Sequence, residues 1–129
     1  MAENVPKIYR IILPVSDLAK ALEFYSSLLG VEGRHVGGGR VYFDCGAVIL
    51  AFLESEKPPN AEYIYFAVPD LEAVYARASA LDCLAAIEIH GAPAGEIVVR
   101  PWRERSFYAF DPFGNGLCFV DENTLFTGR

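Results

Sequence analysis

Two stretches of the chain carry the same change of hydrophobic rhythm. Apolar residues first alternate with other positions, through Ile11, Leu13 and Val15, and then recur at spacings of three and four through Leu18, Ala21 and Leu28. The first rhythm is that of a half-buried strand and the second that of an amphipathic helix. An offset of 53 residues lays YRIILPVSDLAKALEFYSSLLG, from Tyr9, on EYIYFAVPDLEAVYARASALDC, from Glu62. Ile64, Phe66, Val68, Leu71, Val74 and Leu81 then match the first set, so the pattern is an internal repeat that opens each time with strand and helix. Asp17 and Asp70 mark the switch, each a short carboxylate able to accept from the free N–H groups of the first helical turn. Gly30 supplies a stop for the first helix, and the second is expected to end near Asp82 to Cys83.

After the first helix, a glycine-rich opening leads into a β-prone run at Arg40 to Asp44, a Cys45–Gly46 turn and an apolar run from Ala47 to Leu53. This reads as a hairpin. Pro58 and Pro59 cannot continue a strand ladder and mark a linker between the halves. The second half places strands around Ala86 to Ile89 and Glu96 to Arg100, then joins SFYAF to LCFV through the tight turn DPFGNG. The expectation is an α+β fold of one domain over 1–129, with module 1 at about 7–54, a linker at about 55–61 and module 2 at about 62–122.

Composition narrows the function. With 53% hydrophobic and 22% charged residues the chain can build a core, and a formal net charge of −6 disfavours a nucleic acid or an anionic membrane as partner. No run approaches a bilayer span, and MAENVPK has neither a basic nor an apolar targeting region, so a cytoplasmic location is expected. Cys45, Cys83 and Cys118 are odd in number and lack CxxC spacing, as suits reduced thiols. The GGG run at 37–39 lacks the Lys-Ser and following helix of a phosphate loop, and reads as a hairpin loop.

The string VSDLAKALEFYSSLLG in the first half and WRERSFYAFDPFGNGLCFVDE near the end, ordered around the repeat, resemble the vicinal oxygen chelate superfamily. That superfamily includes glyoxalase I, bleomycin-resistance proteins, extradiol dioxygenases and fosfomycin-resistance enzymes. The resemblance implies two tandem βαβββ modules whose curved mixed sheet surrounds a cleft, often completed by a second subunit in a homodimer. It also implies, for catalytic members, a divalent metal held by residues of the first and last strands of the modules. Residue by residue, those positions fall here on Arg10, Leu50, Tyr63 and Cys118. A guanidinium has no lone pair to give and leucine has no donor, so no metal site and no cofactor are expected. His35 and His90 lie outside the ligand strands in loop-like sequence. Related sequences often read PWGERSFY where this chain has Arg103 in place of the glycine.

Strand alternation sends Leu13, Val15, Phe66, Val68, Leu117 and Phe119 toward the helices. Arg10, Ile12, Val48, Leu50, Phe52, Tyr63, Tyr65 and Cys118 are expected on the cleft side, an apolar and aromatic wall with few polar handles. Arg10 receives either a ligand carboxylate or phosphate, or an internal carboxylate of the opposite module. Trp102 either stacks on a ligand or closes the edge of the cleft, and Cys118 is either a packed cysteine or a reactive thiol. The expected function is small-molecule binding, with an aromatic or cationic ligand anchored by Phe52, Tyr63, Tyr65 and Trp102. The alternative is a divergent enzyme, a lyase, isomerase or dioxygenase, with relocated metal ligands or with Tyr63 or Cys118 as acid or base.

Overall fold

Asp17 and Asp70 start the two helices as their positions in the repeat require. In the computed structural model, which describes residues 5–56 and 62–128, the Asp17 carboxylate accepts from the Lys20 amide at 3.0 Å and opens α1 (Leu18–Leu29). Asp70 accepts from the Ala73 amide at 3.1 Å and opens α2 (Leu71–Ala80). The first helix closes on Gly30, whose φ of 71° is the left-handed conformation that glycine adopts without steric cost. The second stops at Ala80, short of the Asp82–Cys83 boundary expected from sequence, because Asp82 itself turns left-handed and the Cys83 amide returns to the Ala78 carbonyl.

Around each helix lies a four-stranded mixed sheet. The first contains β1 (Arg10–Val15), β2 (Arg34–Val36), β3 (Arg40–Cys45) and β4 (Val48–Glu54), in the order β1-β4-β3-β2. The second contains β5 (Ile64–Val68), β8 (Val98–Val99), β9 (Arg105–Phe110) and β10 (Gly116–Asp121), in the order β5-β10-β9-β8. Between α2 and β8 a small hairpin, β6 (Glu88–Ile89) and β7 (Ala92–Pro93), is inserted. In both sheets the first and last strands are parallel and the remaining pairs antiparallel, which is the tandem βαβββ arrangement.

Some local expectations change. The strands expected around Ala86 to Ile89 and Glu96 to Arg100 shorten to two residues each: the backbones of Cys83, Ala85 and Ala94 bond to Phe110 and Tyr108 of β9, and only Val98–Val99 pair with the start of that strand. His35 stands in β2 rather than in a loop, whereas His90 does occupy a turn, the one between β6 and β7. The Pro58–Pro59 linker lies outside the described residues.

One core joins the two halves. Leu13, Tyr25, Phe43 and Phe52 of the first half pack in the same cluster as Val74, Phe107, Leu117 and Phe119 of the second. Phe66, Phe119 and Phe107 form a stacked series with ring centroids 5.0 and 5.3 Å apart. The helices also touch directly, where Arg77 of α2 donates through Nε to the Leu28 carbonyl of α1 at 3.0 Å. Among the described residues no helix is long and apolar enough to cross a membrane.

Candidate functional site

Each sheet turns one face to the helices, and the register decides which side chains reach the opposite face, open in the first sheet and largely covered by Ala85 and Ala94 in the second. In the first sheet, the parallel pairing sets Ile11 beside Leu50 and Leu13 beside Phe52. Neighbours across a ladder share a face, so Leu50 and Phe52 follow Leu13 into the core and not into the cleft as expected. Leu50 is buried, and Phe52 is fully buried with its ring 4.4 Å from that of Tyr25. Val48 follows the same parity. The open face of β4 is therefore Ile49, Ala51 and Leu53, the partners of Arg10, Ile12 and Pro14. The error is a slip of one residue, which turns every side chain of a strand over.

The corrected rows give the first open face its character. Ile12, Ala51, Tyr42 and Arg34 lie across the strands in one row, with Arg10, Ile49 and Asp44 in the next and Pro14, Leu53, Arg40 and Val36 beyond. Three arginines thus share the face with one aspartate, although the chain as a whole is acidic. Arg34 holds that aspartate, with NH1 and NH2 donating to the two carboxylate oxygens of Asp44 at 2.8 and 3.2 Å. Arg10 takes part in no ion pair among the described residues, so the internal salt bridge to the opposite module is not formed. Its guanidinium carbon instead lies 4.9 Å from the centroid of the Tyr9 ring and 5.8 Å from that of Tyr42. Arg34 approaches the same Tyr42 ring, also at 5.8 Å.

The corresponding face of the second sheet is built from tyrosines, of which Tyr65 is exposed while Tyr108 is buried beneath the segment that carries Ala85 and Ala94. Tyr65 and Tyr108 meet hydroxyl to hydroxyl at 3.1 Å, and Tyr63 sets its ring edge-on to Tyr108 with centroids 5.0 Å apart. Cys118 lies between Tyr65 and Tyr108 in the ladder and is fully buried in a small cluster with Ala85, Ala94, Tyr108 and Val120. Burial pushes the Cys118 thiol up to about 12, against the opposing effects of Ser106, Tyr108 and the Arg100 charge. It is a packed, protonated cysteine at neutral pH. Burial likewise raises Tyr63 and, more strongly, Tyr108, whose hydroxyl also bonds to Tyr65.

Sequence reasoning missed Arg100, which is 2% exposed. Its Nε donates to Ser106 Oγ at 3.0 Å, and NH2 donates to the carbonyls of Ser106, Glu96 and Ala94 at 3.0, 3.2 and 3.3 Å. NH1 adds the Pro93 carbonyl at 3.4 Å, and the guanidinium carbon is 5.1 Å from the centre of the Tyr108 ring. A buried cation needs its donors filled, and here neutral oxygens fill them. The result is a clamp that ties the 93–96 segment to β9 beside the tyrosines. Gly95 lets the same segment lie close against Ala85, because a Cβ there would stand 2.2 Å from the Ala85 carbonyl oxygen. An Arg between the apolar run IVV and a proline was the available sequence signal.

Trp102 is half-buried in the loop that follows. Its indole N–H donates to Glu104 Oε1 at 2.7 Å, and its ring meets His90 edge-on at 4.9 Å. The second oxygen of Glu104 accepts from the Phe126 amide at 2.8 Å, so the loop is tied to both the β6–β7 hairpin and the C-terminal segment. Arg103, at the apex, has a φ of 77°, which accounts for the glycine that related sequences carry there. The predicted residues therefore fall into four groups. Tyr63, Tyr65 and Cys118 come together, Arg10 and Ile12 share the other sheet, Leu50 and Phe52 are core, and Trp102 belongs to a loop.

A cavity of about 610 Å³ opens elsewhere, on the helix side, between Ile11, Val48 and Leu50 of the first half and Ile64, Phe66 and Val68 of the second. It is a mainly apolar seam between the modules, with Asp44, Cys45 and Tyr65 in its wall.

The sequence profile of the Glyoxalase/Bleomycin resistance protein/Dioxygenase superfamily matches residues 7–119, and the chain belongs to this superfamily. A curated relative, "Metallothiol transferase FosB" of Staphylococcus epidermidis, is 36% identical over 58 residues, which is 45% of this chain and 42% of the relative. The chain thus matches less than half the length of that relative. Among solved structures, "Oxidase ChaP-H1" is similar with a TM-score of 0.79 at 20% identity, over 97% of this chain and 100% of that one. A lactoylglutathione lyase from Agrobacterium tumefaciens has a TM-score of 0.67 at 21% identity, over 92% and 95%. TioX from Micromonospora sp. ML1 has a TM-score of 0.72 at 14% identity, over 91% and 99%. At these identities the structural likeness concerns the fold.

The metal positions implied by the family can now be tested against the register. With Ala51 in place of Leu50 as the counterpart of Cys118, the set is Arg10, Ala51, Tyr63 and Cys118. Arg10 offers no lone pair, Ala51 no donor, and Cys118 holds its proton. Among the described residues no group of three or more His, Cys, Asp or Glu side chains gathers where a metal ion fits. This donor set does not suit a divalent cation.

Proposed function

We propose that this chain is a small-molecule binding protein that works without a divalent metal, holding an aromatic ligand against the open face of its first sheet and the exposed Tyr65 ring of the second. The observation that carries this reading is the replacement of a donor set by Arg10, Ala51, Tyr63 and Cys118 at the positions where the family's metal ligands stand. Around them are ring faces and a buried thiol, which favour stacking and shape over ionic coordination. Tyr65 is 53% exposed and so presents its ring for contact while its hydroxyl is anchored on Tyr108. A cationic ligand is disfavoured by the arginines of the first open face.

Catalysis by Tyr63 or Cys118 as a base has little support, since both are held in their protonated forms at neutral pH. Pairing of two copies is part of the proposal. The outer edge of β1 bonds to no strand among the described residues, and Ile8, Tyr9 and Ile12 beside it are 69, 60 and 44% exposed. Such an edge favours association.

The reading is tested on protein purified without chelator or affinity metal. Metal analysis is expected to give far less than one equivalent per chain, with no uptake of nickel, zinc, manganese or ferrous iron. A panel of aromatic compounds is expected to raise the melting temperature, and light scattering to give twice the chain mass. One tightly held equivalent of metal would overturn the reading in favour of an enzyme with relocated ligands.

A further inference from the structure

The open face of the first sheet is positive on an acidic protein, and its charges are unevenly matched. Arg34 is occupied by Asp44 through a two-pronged contact, and Asp44 is the sole carboxylate in the strand rows of that face. Arg10 stands in the adjoining row, exposed, and takes part in no ion pair among the described residues. The Tyr42 ring beneath is only 9% exposed, with the guanidinium carbons of Arg10 and Arg34 each 5.8 Å from its centre. Aromatic contact of this kind steadies a guanidinium while leaving its N–H edge available, and that planar edge matches an oxyanion. The apolar neighbours are Ile12 in β1 and Ile49 across the ladder. On the corresponding face of the second sheet, burial keeps the Cys118 thiol protonated, so it adds no negative charge at neutral pH.

We infer that the ligand is an aromatic molecule bearing an oxyanion, with Arg10 receiving the oxyanion and Ile12 and Ile49 meeting the ring beside it. This rests on the binding reading above and names the ligand class for the same site. A carboxylate and a phosphate share the required chemistry. A cation placed there would meet three guanidinium groups against one carboxylate that is already paired.

The test uses four probes of one shape, measured by calorimetric titration against the intact protein: 2-naphthoate, 2-naphthyl phosphate, 2-naphthamide and 2-naphthylmethylammonium. At low ionic strength one or both anions are expected to bind about tenfold more tightly than the amide, with the ammonium weakest. The advantage is expected to shrink as salt is added. In R10Q, with its melting temperature checked, the anions are expected to fall to the affinity of the amide while the amide is unchanged. The tighter of the two anions then identifies carboxylate or phosphate as the group bound. Equal binding of anion and amide, or an anion advantage that survives in R10Q, would overturn the inference and leave the binding reading standing. Absence of binding by all four probes at millimolar concentration would overturn both.

Discussion

Tyr25 and Asp111 hold the two halves of the molecule together through one short hydrogen bond. The Tyr25 hydroxyl, on α1, donates to Asp111 Oδ2 at 2.6 Å, in the turn between β9 and β10. The same carboxylate accepts from the Phe113 and Asn115 amides at 2.9 and 2.8 Å and from the Asn115 side chain at 2.8 Å. Four donors fill the acceptor positions of this buried carboxyl group, and the DPFGN string is therefore a turn wound around Asp111. One of the four donors comes from the other module, which makes the turn a latch as well.

Removing that donor tests the latch. Tyr25→Phe keeps the ring against Phe52 but leaves Asp111 short of one partner in a buried site. A loss of about 1–3 kcal/mol in unfolding free energy is expected, the range for leaving a buried acceptor short of its partner. Urea denaturation followed by circular dichroism measures it. A change under 0.5 kcal/mol would show that solvent replaces the hydroxyl.

Alkaline pH should weaken the fold from about pH 9 upward, first through the buried thiols and then also through Tyr25, Tyr63 and Tyr108, which burial raises above the ordinary tyrosine value of 10. Cys118 and Cys83 are both raised from an ordinary value near 9, to about 12 and about 11, with burial the leading cause in each. Between about pH 9 and 11 the unfolded chain loses these protons while the folded chain keeps them. The unfolded state then binds fewer protons, and stability falls as pH rises by about 1.4 kcal/mol per unit for each thiol. Melting temperatures at pH 7, 9 and 10.5 are expected to decline, and Cys118→Ala is expected to flatten the decline. A flat profile in the parent protein would contradict it.

Arg103 offers a gain in stability. It is a non-glycine residue at φ 77°, a conformation that costs a side-chain-bearing residue about 1 kcal/mol or more. Arg103→Gly is expected to raise the unfolding free energy by about 0.5–1 kcal/mol even after the added freedom of the unfolded chain is counted. Arg103→Ala separates backbone from side chain, because it removes the guanidinium without relieving the conformation. If alanine stabilises as much as glycine does, the strain argument fails.

How far the fold could be read from sequence depended on whether each element had a local signature. The helices were legible because Asp17, Asp70 and Gly30 act on the backbone within a turn of themselves. The faces of β1 and β5 were legible because the repeat sets Ile11, Leu13 and Val15 on Ile64, Phe66 and Val68, which fixes one parity for both strands. The run from Ala47 to Leu53 is almost wholly apolar, so its parity was open and the register slipped by one, carrying Leu50 and Phe52 to the wrong face. Arg100 was illegible for a different reason. Its five acceptors come from residues 93 to 106, and nothing in a linear pattern shows that three of their carbonyls converge with Ser106 on one guanidinium.

The corrected register makes its own prediction. Phe52→Ala should remove a fully buried ring from the shared core and cost about 3–5 kcal/mol, whereas Ile12→Ala, on the open face and 44% exposed, should change stability by under 1 kcal/mol. The naphthyl probes should respond in the opposite order, with affinity reduced by Ile12→Ala and not by milder core changes such as Phe52→Leu in protein that remains folded. Denaturation and calorimetric titration of the three variants measure both quantities. If Ile12→Ala destabilised the fold as Phe52→Ala does while leaving binding intact, the two faces of the first sheet would have to be exchanged. Arg10, one pleat from Ile12 on the same side, would then lose its place in the site.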